Sequence, residues 1–183
     1  MKTFLEIGCA DFDTLVPLAA KGGWTGWCVE PMPHFARKLR EMASGLPVAI
    51  CEKAISDYDG EITMAVGDGE QWATGASHIT ANNHTGARLL DLPANKFLRK
   101  EDIKVECISL DSFILTNKIT SIDFCKIDIE GHEATVLGAY SWQVKPAFMK
   151  IEHCHTPGNT LDDILRPQGY SIFVESDDIY CVL

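Results

Sequence analysis

Residues 3–30, TFLEIGCADFDTLVPLAAKGGWTGWCVE, decide the fold because they contain a complete strand–helix–strand pattern. The apolar run at 3–7 ends at Gly8 and predicts a buried strand, and residues 24–30 predict a second one. Between them, residues 13–21 carry an apolar face and stop at two glycines, which predicts a helix. Two strands joined in this way are parallel, with a right-handed crossover.

The same alternation of strands and helices continues to the end of the chain. Further strands are predicted at 47–55, 61–66, 104–108, 121–129, 147–154, 170–174 and 179–183, and helices at 33–45, from Asp111 as N-cap, at 132–140 and at 160–166. This order predicts one doubly wound α/β domain over residues 1–183, with a mostly parallel sheet. Residues 67–102 are irregular, and we expect an excursion or lid there.

Composition narrows the class of protein. The chain has 183 residues and a formal net charge of −10, and this acidity disfavours nucleic acid as a partner. Its seven cysteines contain no CxxC pair, which indicates buried thiols in a reducing compartment. A glutamate at position 6 precedes any signal-like segment, and no apolar run approaches the length of a membrane span. We therefore expect a cytoplasmic protein that does not enter a membrane; its oligomeric state is not indicated.

Ligands of parallel sheets bind beyond the carboxyl ends of the strands, so the residues there carry the function. Gly8 and Ala10 follow the first strand and are small enough for a ligand to approach the backbone. Glu30 ends the second strand, 22 residues after Gly8, where a carboxylate can accept hydrogen bonds from ribose hydroxyls. Together these residues predict a nucleoside site.

The acidic residues near this turn help to distinguish between a dinucleotide and other nucleoside cofactors. A dinucleotide site expects G-x-G-x-x-G, but only Gly8 is present, and Glu6, Asp11 and Asp13 would repel a pyrophosphate. S-adenosylmethionine carries a positive sulfonium and a positive amino group, so an acidic pocket suits it better. A nicotinamide-dependent oxidoreductase remains an alternative.

Acids and histidines cluster after two later predicted strands. Asp128 and Glu130 alternate at the carboxyl end of the strand predicted at 121–129, so both point to one side of the extended segment. His153 and His155 follow the next strand at the same rim, and we favour His153 as the general base. The spacing fits no compact metal signature, so no metal is predicted.

Four segments, in order, resemble the signatures of the FkbM-type methyltransferases. Residues 122–133, IDFCKIDIEGHE, resemble "hDhhKIDVEGhE", and residues 29–33, VEPMP, resemble "FEPxP". Residues 54–61, AISDYDGE, and 108–113, ISLDSF, resemble "AhSDxDGE" and "xTLDxh". The combination is specific, because the matches keep the family's order along most of the chain.

The resemblance implies a Rossmann-like, seven-stranded sheet whose last strand is antiparallel. It implies methyl transfer from S-adenosylmethionine, with S-adenosylhomocysteine as product, to a hydroxyl on a sugar, glycan or other small molecule. A non-catalytic nucleoside-binding module of the same fold is the other alternative. By the resemblance, the residues that line the cofactor are Glu6, Gly8 and Ala10 at its methionine end, Glu30 at the ribose, Lys53 and Ala54 at the adenine, and Asp128 near the amino group or sulfonium. Asp128 and Glu130 also remain catalytic candidates beside His153.

Overall fold

The computed structural model of the chain describes residues 1–10, 14–68, 77–79 and 98–183. In chain order its elements are β1 (Lys2–Ile7), α1 (Val16–Ala20), β2 (Trp24–Val29), α2 (Pro33–Met42), β3 (Val48–Cys51), β4 (Ala54–Ser56), β5 (Gly60–Asp68), β6 (His78–Ile79), β7 (Leu98–Ser109), α3 (Leu110–Thr116), β8 (Phe124–Ile127), α4 (Glu133–Ala139), β9 (Phe148–Glu152), α5 (Thr160–Leu165), a 3₁₀ turn (Arg166–Gln168), β10 (Ser171–Glu175) and β11 (Asp178–Val182).

The main sheet has seven strands in the spatial order β10-β11-β9-β8-β1-β2-β3. The five strands from β9 to β3 in this order pair in parallel, whereas β11 is antiparallel to both of its neighbours. The doubly wound, Rossmann-like α/β fold with an antiparallel last strand is therefore confirmed.

Side chains of the central strand β1 alternate between two cores, as an extended backbone requires. Phe4 packs with Val16 of α1 and Leu39 of α2 on one side of the sheet. Leu5 and Ile7 belong to the larger core on the other side, to which α3, α4 and α5 contribute. The cores contain fully buried apolar residues, and this burial supplies most of the stabilisation of the sheet.

A second sheet of four strands, in the order β4-β7-β5-β6, corrects two of our predictions. The single strand expected at 47–55 is wrong: β3 ends at Cys51, and Ala54 begins β4, which pairs in parallel with β7. The irregular excursion is shorter than expected, because β7 already begins at Leu98 and its first residues pair with the end of β5. The rest of the expected lid, residues 69–76 and 80–97, lies outside the described residues.

The expected cap of α3 is also wrong. Ser109, not Asp111, is the N-cap, and its hydroxyl accepts a hydrogen bond from the Ser112 backbone N–H. The Asp111 carboxylate accepts hydrogen bonds from the backbone and side chain of Ser141 instead, so it joins α3 to the end of α4. Within the described ranges, no helix combines the length and apolar character needed to span a bilayer.

Candidate functional site

The strand order reverses between β1 and β8, because the chain continues from β1 towards β3 and later fills the other side from β8 outwards. Such a reversal opens a crevice at the carboxyl ends of the two strands. Gly8 follows β1 with φ +78°, and a Cβ added to it would lie 1.7 Å from the Asp128 carbonyl oxygen. Gly8 is thus required where the ends of β1 and β8 approach each other, a contact that the sequence did not predict.

Glu6 lies near the end of β1 and is fully buried. Its carboxylate contacts two residues that follow β1 and one residue of β8. Its Oε2 accepts hydrogen bonds from the Thr14 hydroxyl at 2.6 Å and the Leu15 backbone N–H at 2.8 Å. Its Oε1 lies 3.5 Å from the Lys126 ammonium. Burial raises the pKa of Glu6, and the Lys126 charge opposes that shift. In these contacts Glu6 holds the start of α1 against the end of β1.

Glu30 and Ala10 are brought together, as the sequence predicted. Glu30 is 5% exposed, and its two oxygens accept the backbone N–H groups of Ala10 and Met32, both at 2.8 Å. Ala10 has a left-handed φ of 44°. Burial raises the pKa of Glu30 to about 7, and the two N–H groups oppose that shift. A carboxylate oxygen can accept more than one hydrogen bond.

Lys53 and Ala54 follow β3 at the carboxyl edge of the main sheet, but their side chains contact different groups. They follow Cys51, whose carbonyl accepts the Glu30 backbone N–H at 2.9 Å. The Lys53 ammonium forms a 2.8 Å ion pair with Glu106, and this hydrogen bond raises the pKa of Lys53. Ala54 is buried in the apolar cluster of the second sheet.

Four side chains at or just beyond the carboxyl ends of β8 and β9 form what we call the strand-end cluster: Asp128, Glu130, Glu152 and His155. One carboxylate oxygen from each of the three acids lies within 4.8 Å of the others. His155 Nε2 is 3.1 Å from Glu130 Oε2 and 3.8 Å from Glu152 Oε2. Asp128 directly follows β8 and Glu152 is the last residue of β9. Burial and neighbouring acids raise the pKa of Asp128 to about 6 and that of Glu152 to about 10. The Glu130 hydrogen bond raises the pKa of His155.

These shifts bear on the charge that the cluster carries. Burial and the neighbouring acids favour the protonated, neutral form of Glu152. Oxygens in this arrangement could also hold a divalent cation, but such groups are common without one, and we assign no metal to them.

The structure does not bring His153 to the strand-end cluster. Its Nε2 lies 3.2 Å from the Ser176 carbonyl oxygen in the β10–β11 hairpin. His155 occupies the position expected of His153 because β9 ends at Glu152 and the chain then turns, with the Thr156 N–H bonded to the His153 carbonyl at 2.9 Å. Strand alternation could not predict this turn.

Two buried polar contacts beside the cluster were missed by the sequence analysis. Glu133 is 1% exposed, and it accepts backbone N–H groups from the turn after β8. His132 Nε2 lies 3.1 Å from the Ser56 hydroxyl and so joins that turn to the second sheet. Burial lowers the pKa of His132. Both Glu133 and His132 lie in the segment 122–133 singled out above, whose charged residues were the available signal.

The fold and the crevice define a Rossmann-like α/β domain with acids at the strand ends. The pattern of the methyltransferase FkbM domain matches residues 6–172. The chain therefore belongs to the FkbM methyltransferase domain family, as the resemblance indicated.

Two individual proteins extend the comparison. The chain is 30% identical over 162 residues to the 2-O-methyltransferase NoeI of Sinorhizobium fredii (strain NBRC 101917 / NGR234), an alignment covering 81% of this chain and 62% of that protein. It is similar in fold to the crystal structure of monomeric WbdD, with a TM-score of 0.50, 11% identity, and coverage of 98% of this chain and 35% of that one. The chain thus spans less than two thirds of the length of either protein.

Proposed function

We propose that this chain binds S-adenosylmethionine in the crevice between β1 and β8 and methylates a hydroxyl of a sugar, a glycan or another small molecule. The observation that carries the proposal is the Glu30 carboxylate, held against the Ala10 turn at the carboxyl end of β2. Family membership supports methyl transfer as the chemistry, and the similarity to a 2-O-methyltransferase supports oxygen as the acceptor atom. We further propose that residues 1–183 act as one catalytic unit.

The residues present fit the proposed cofactor in charge and in hydrogen bonding. Glu30 would accept hydrogen bonds from the ribose hydroxyls, since each carboxylate oxygen can accept more than one hydrogen bond beside those from Ala10 and Met32. Asp128 would face the positive amino group or sulfonium, and a nearby positive charge favours the ionised form of a carboxyl. Lys53 and Ala54 would lie near the adenine at the end of β3, and Glu6 and Gly8 would act by shaping the turn after β1.

When bound, S-adenosylmethionine supplies a methyl group on a positively charged sulfur. The chain has to hold an acceptor oxygen in line with that methyl and remove the hydroxyl proton. We propose the Glu130–His155 pair as the acceptor of this proton, because the pair is in contact at 3.1 Å and both side chains are 17% exposed. The neutral imidazole of His155 would take the proton, and the Glu130 carboxylate beside it would stabilise the positive charge that forms. His153, our first choice, is bonded to the hairpin instead.

Binding can be tested by calorimetry with S-adenosylhomocysteine. Glu30→Ala should weaken binding about 10- to 150-fold, since hydrogen bonds to a charged group contribute about 1.5–3 kcal/mol. Unchanged affinity would refute the ribose assignment. The alternative functions give other results: tight binding of NADH in a fluorescence titration would indicate an oxidoreductase, and cofactor binding without turnover on any hydroxylated acceptor would indicate a non-catalytic module.

The assignment of the base can be tested at His155, with the nearby His153 as the matched control. In an assay of S-adenosylhomocysteine release with a panel of hydroxylated sugars, His155→Gln should lower turnover about 100-fold or more, the usual range for general base catalysis. His153→Gln should leave turnover within a few-fold of wild type. The reverse order would restore His153 as the base, and both variants should keep their affinity for S-adenosylhomocysteine.

A further inference from the structure

The turn between β8 and α4 has an unusual backbone. Glu130 has φ +56° and Gly131 has φ +93°, so two successive residues are left-handed. A non-glycine residue pays a conformational cost in this region, and it stays there only when its surroundings hold it. Glu130 is also the residue whose carboxylate contacts His155 at 3.1 Å. What holds this turn therefore also sets the geometry of that contact.

Glu133 makes the contacts that hold the turn. Its Oε1 accepts the Ile129 backbone N–H at 2.9 Å and the Gly131 backbone N–H at 3.2 Å, one on each side of Glu130. Its Oε2 accepts the Thr156 hydroxyl at 3.4 Å, and Thr156 follows His155 directly. One buried carboxylate thus contacts the neighbours of both members of the Glu130–His155 pair.

We propose that Glu133 is a positioning residue, which fixes the Glu130–His155 pair by bonding the turn on one side and the loop after β9 on the other. The proposal rests on the proposed function for its catalytic meaning. Glu133 itself is 1% exposed, so it is out of reach of an acceptor and acts only through the two groups it orients. Burial raises the pKa of Glu133 to about 7, and the N–H bonds oppose that shift, as expected of an acid kept in an apolar place for its hydrogen bonds.

Three substitutions distinguish the effect of the hydrogen bonds that Glu133 accepts from the effect of its charge. Glu133→Gln keeps the side-chain length and a carbonyl acceptor for both N–H groups, but it removes the charge. Glu133→Asp keeps the charge, but it is one methylene too short to span Ile129 and Gly131. Glu133→Ala removes both. The measured quantity is the pKa of His155, obtained by NMR titration of the ligand-free protein, with His153 as the internal reference.

Three acids in the described chain raise the pKa of His155, Glu130 most and then Glu152 and Glu133, and burial of the ring opposes them. If Glu133 positions Glu130, the pKa of His155 stays close to the wild-type value in Glu133→Gln. It then falls towards that of an ordinary histidine in Glu133→Asp and Glu133→Ala. The opposite pattern, a fall in the Gln variant and none in the Asp variant, would show that Glu133 acts by charge alone and would overturn the proposal.

An unchanged pKa in all three variants would also overturn it. The Gln and Asp variants alone decide the matter if Glu133→Ala does not fold. Because the titration uses neither cofactor nor acceptor, it is independent of the methyltransferase assignment. That assignment fails separately, if S-adenosylhomocysteine does not bind.

Discussion

Replacing Gly8 with alanine should destabilise the protein far more than the same change at Gly22. Both glycines are left-handed, with φ of +78° and +83°, so alanine meets a similar backbone cost of about 1–2 kcal/mol at each. The two positions differ in the free space around an added Cβ atom. A Cβ on Gly22 meets no atom within 4 Å, whereas a Cβ on Gly8 would lie 1.7 Å from the Asp128 carbonyl oxygen, well inside the 3.0 Å limit of real contacts.

The ends of β1 and β8 would have to separate by more than 1 Å in Gly8→Ala to relieve this overlap. That movement would strain the hydrogen bond from the Asp128 N–H to the Ile7 carbonyl and displace Asp128 from the crevice. We expect Gly8→Ala to lower the free energy of unfolding by about 4 kcal/mol or more, a loss that point mutations reach only when they create a specific structural conflict. This is a large share of the roughly 5–15 kcal/mol that stabilises a typical domain.

Urea denaturation followed by circular dichroism measures both losses, and calorimetry with S-adenosylhomocysteine measures the consequence for binding. Gly22→Ala should bind like the wild type, while Gly8→Ala should bind at least several-fold more weakly. Free energies of unfolding that agree within about 0.5 kcal/mol for the two variants would refute the argument from close approach.

Three further predictions concern pH, the link between the sheets, and metals. Glu30 and Glu133 have pKa values of about 7 in the folded protein, above their ordinary 4.5, so the folded state binds more protons. The thermal midpoint of the ligand-free protein should therefore fall between pH 5 and pH 8, and a calorimetric midpoint that rises would contradict the burial of these acids. Ser56→Ala should cost about 1–3 kcal/mol in urea denaturation, because it removes the partner of the buried His132 ring, and a loss below about 0.5 kcal/mol would show that this contact is unimportant. Turnover should survive dialysis against a chelator, because the base that we propose, the Glu130–His155 pair, needs no metal. Activity that is lost and then restored by a divalent cation would argue for a metal at the strand-end cluster.

The sequence predicted most of the fold because the main sheet obeys local rules. Hydrophobic periodicity and glycine or proline stops located its strands, and the handedness of parallel crossovers arranged them. The second sheet was not predictable in this way. Ala54 of β4 pairs with Cys107 of β7, and no local pattern can indicate which distant strand a three-residue segment will join. The interruption after Cys51 was therefore missed.

The sequence by itself determined which residues reach the carboxyl edge of the sheet: Gly8, Glu30 and Asp128 each follow a strand, and the topology brings them to one crevice. Only the tertiary structure decided what each of them contacts there. Strand alternation ends where the extended backbone ends, so the choice between His153 and His155 depended on a turn held by distant partners. The same holds for Gly8, whose requirement comes from a carbonyl 120 positions away in sequence, at Asp128.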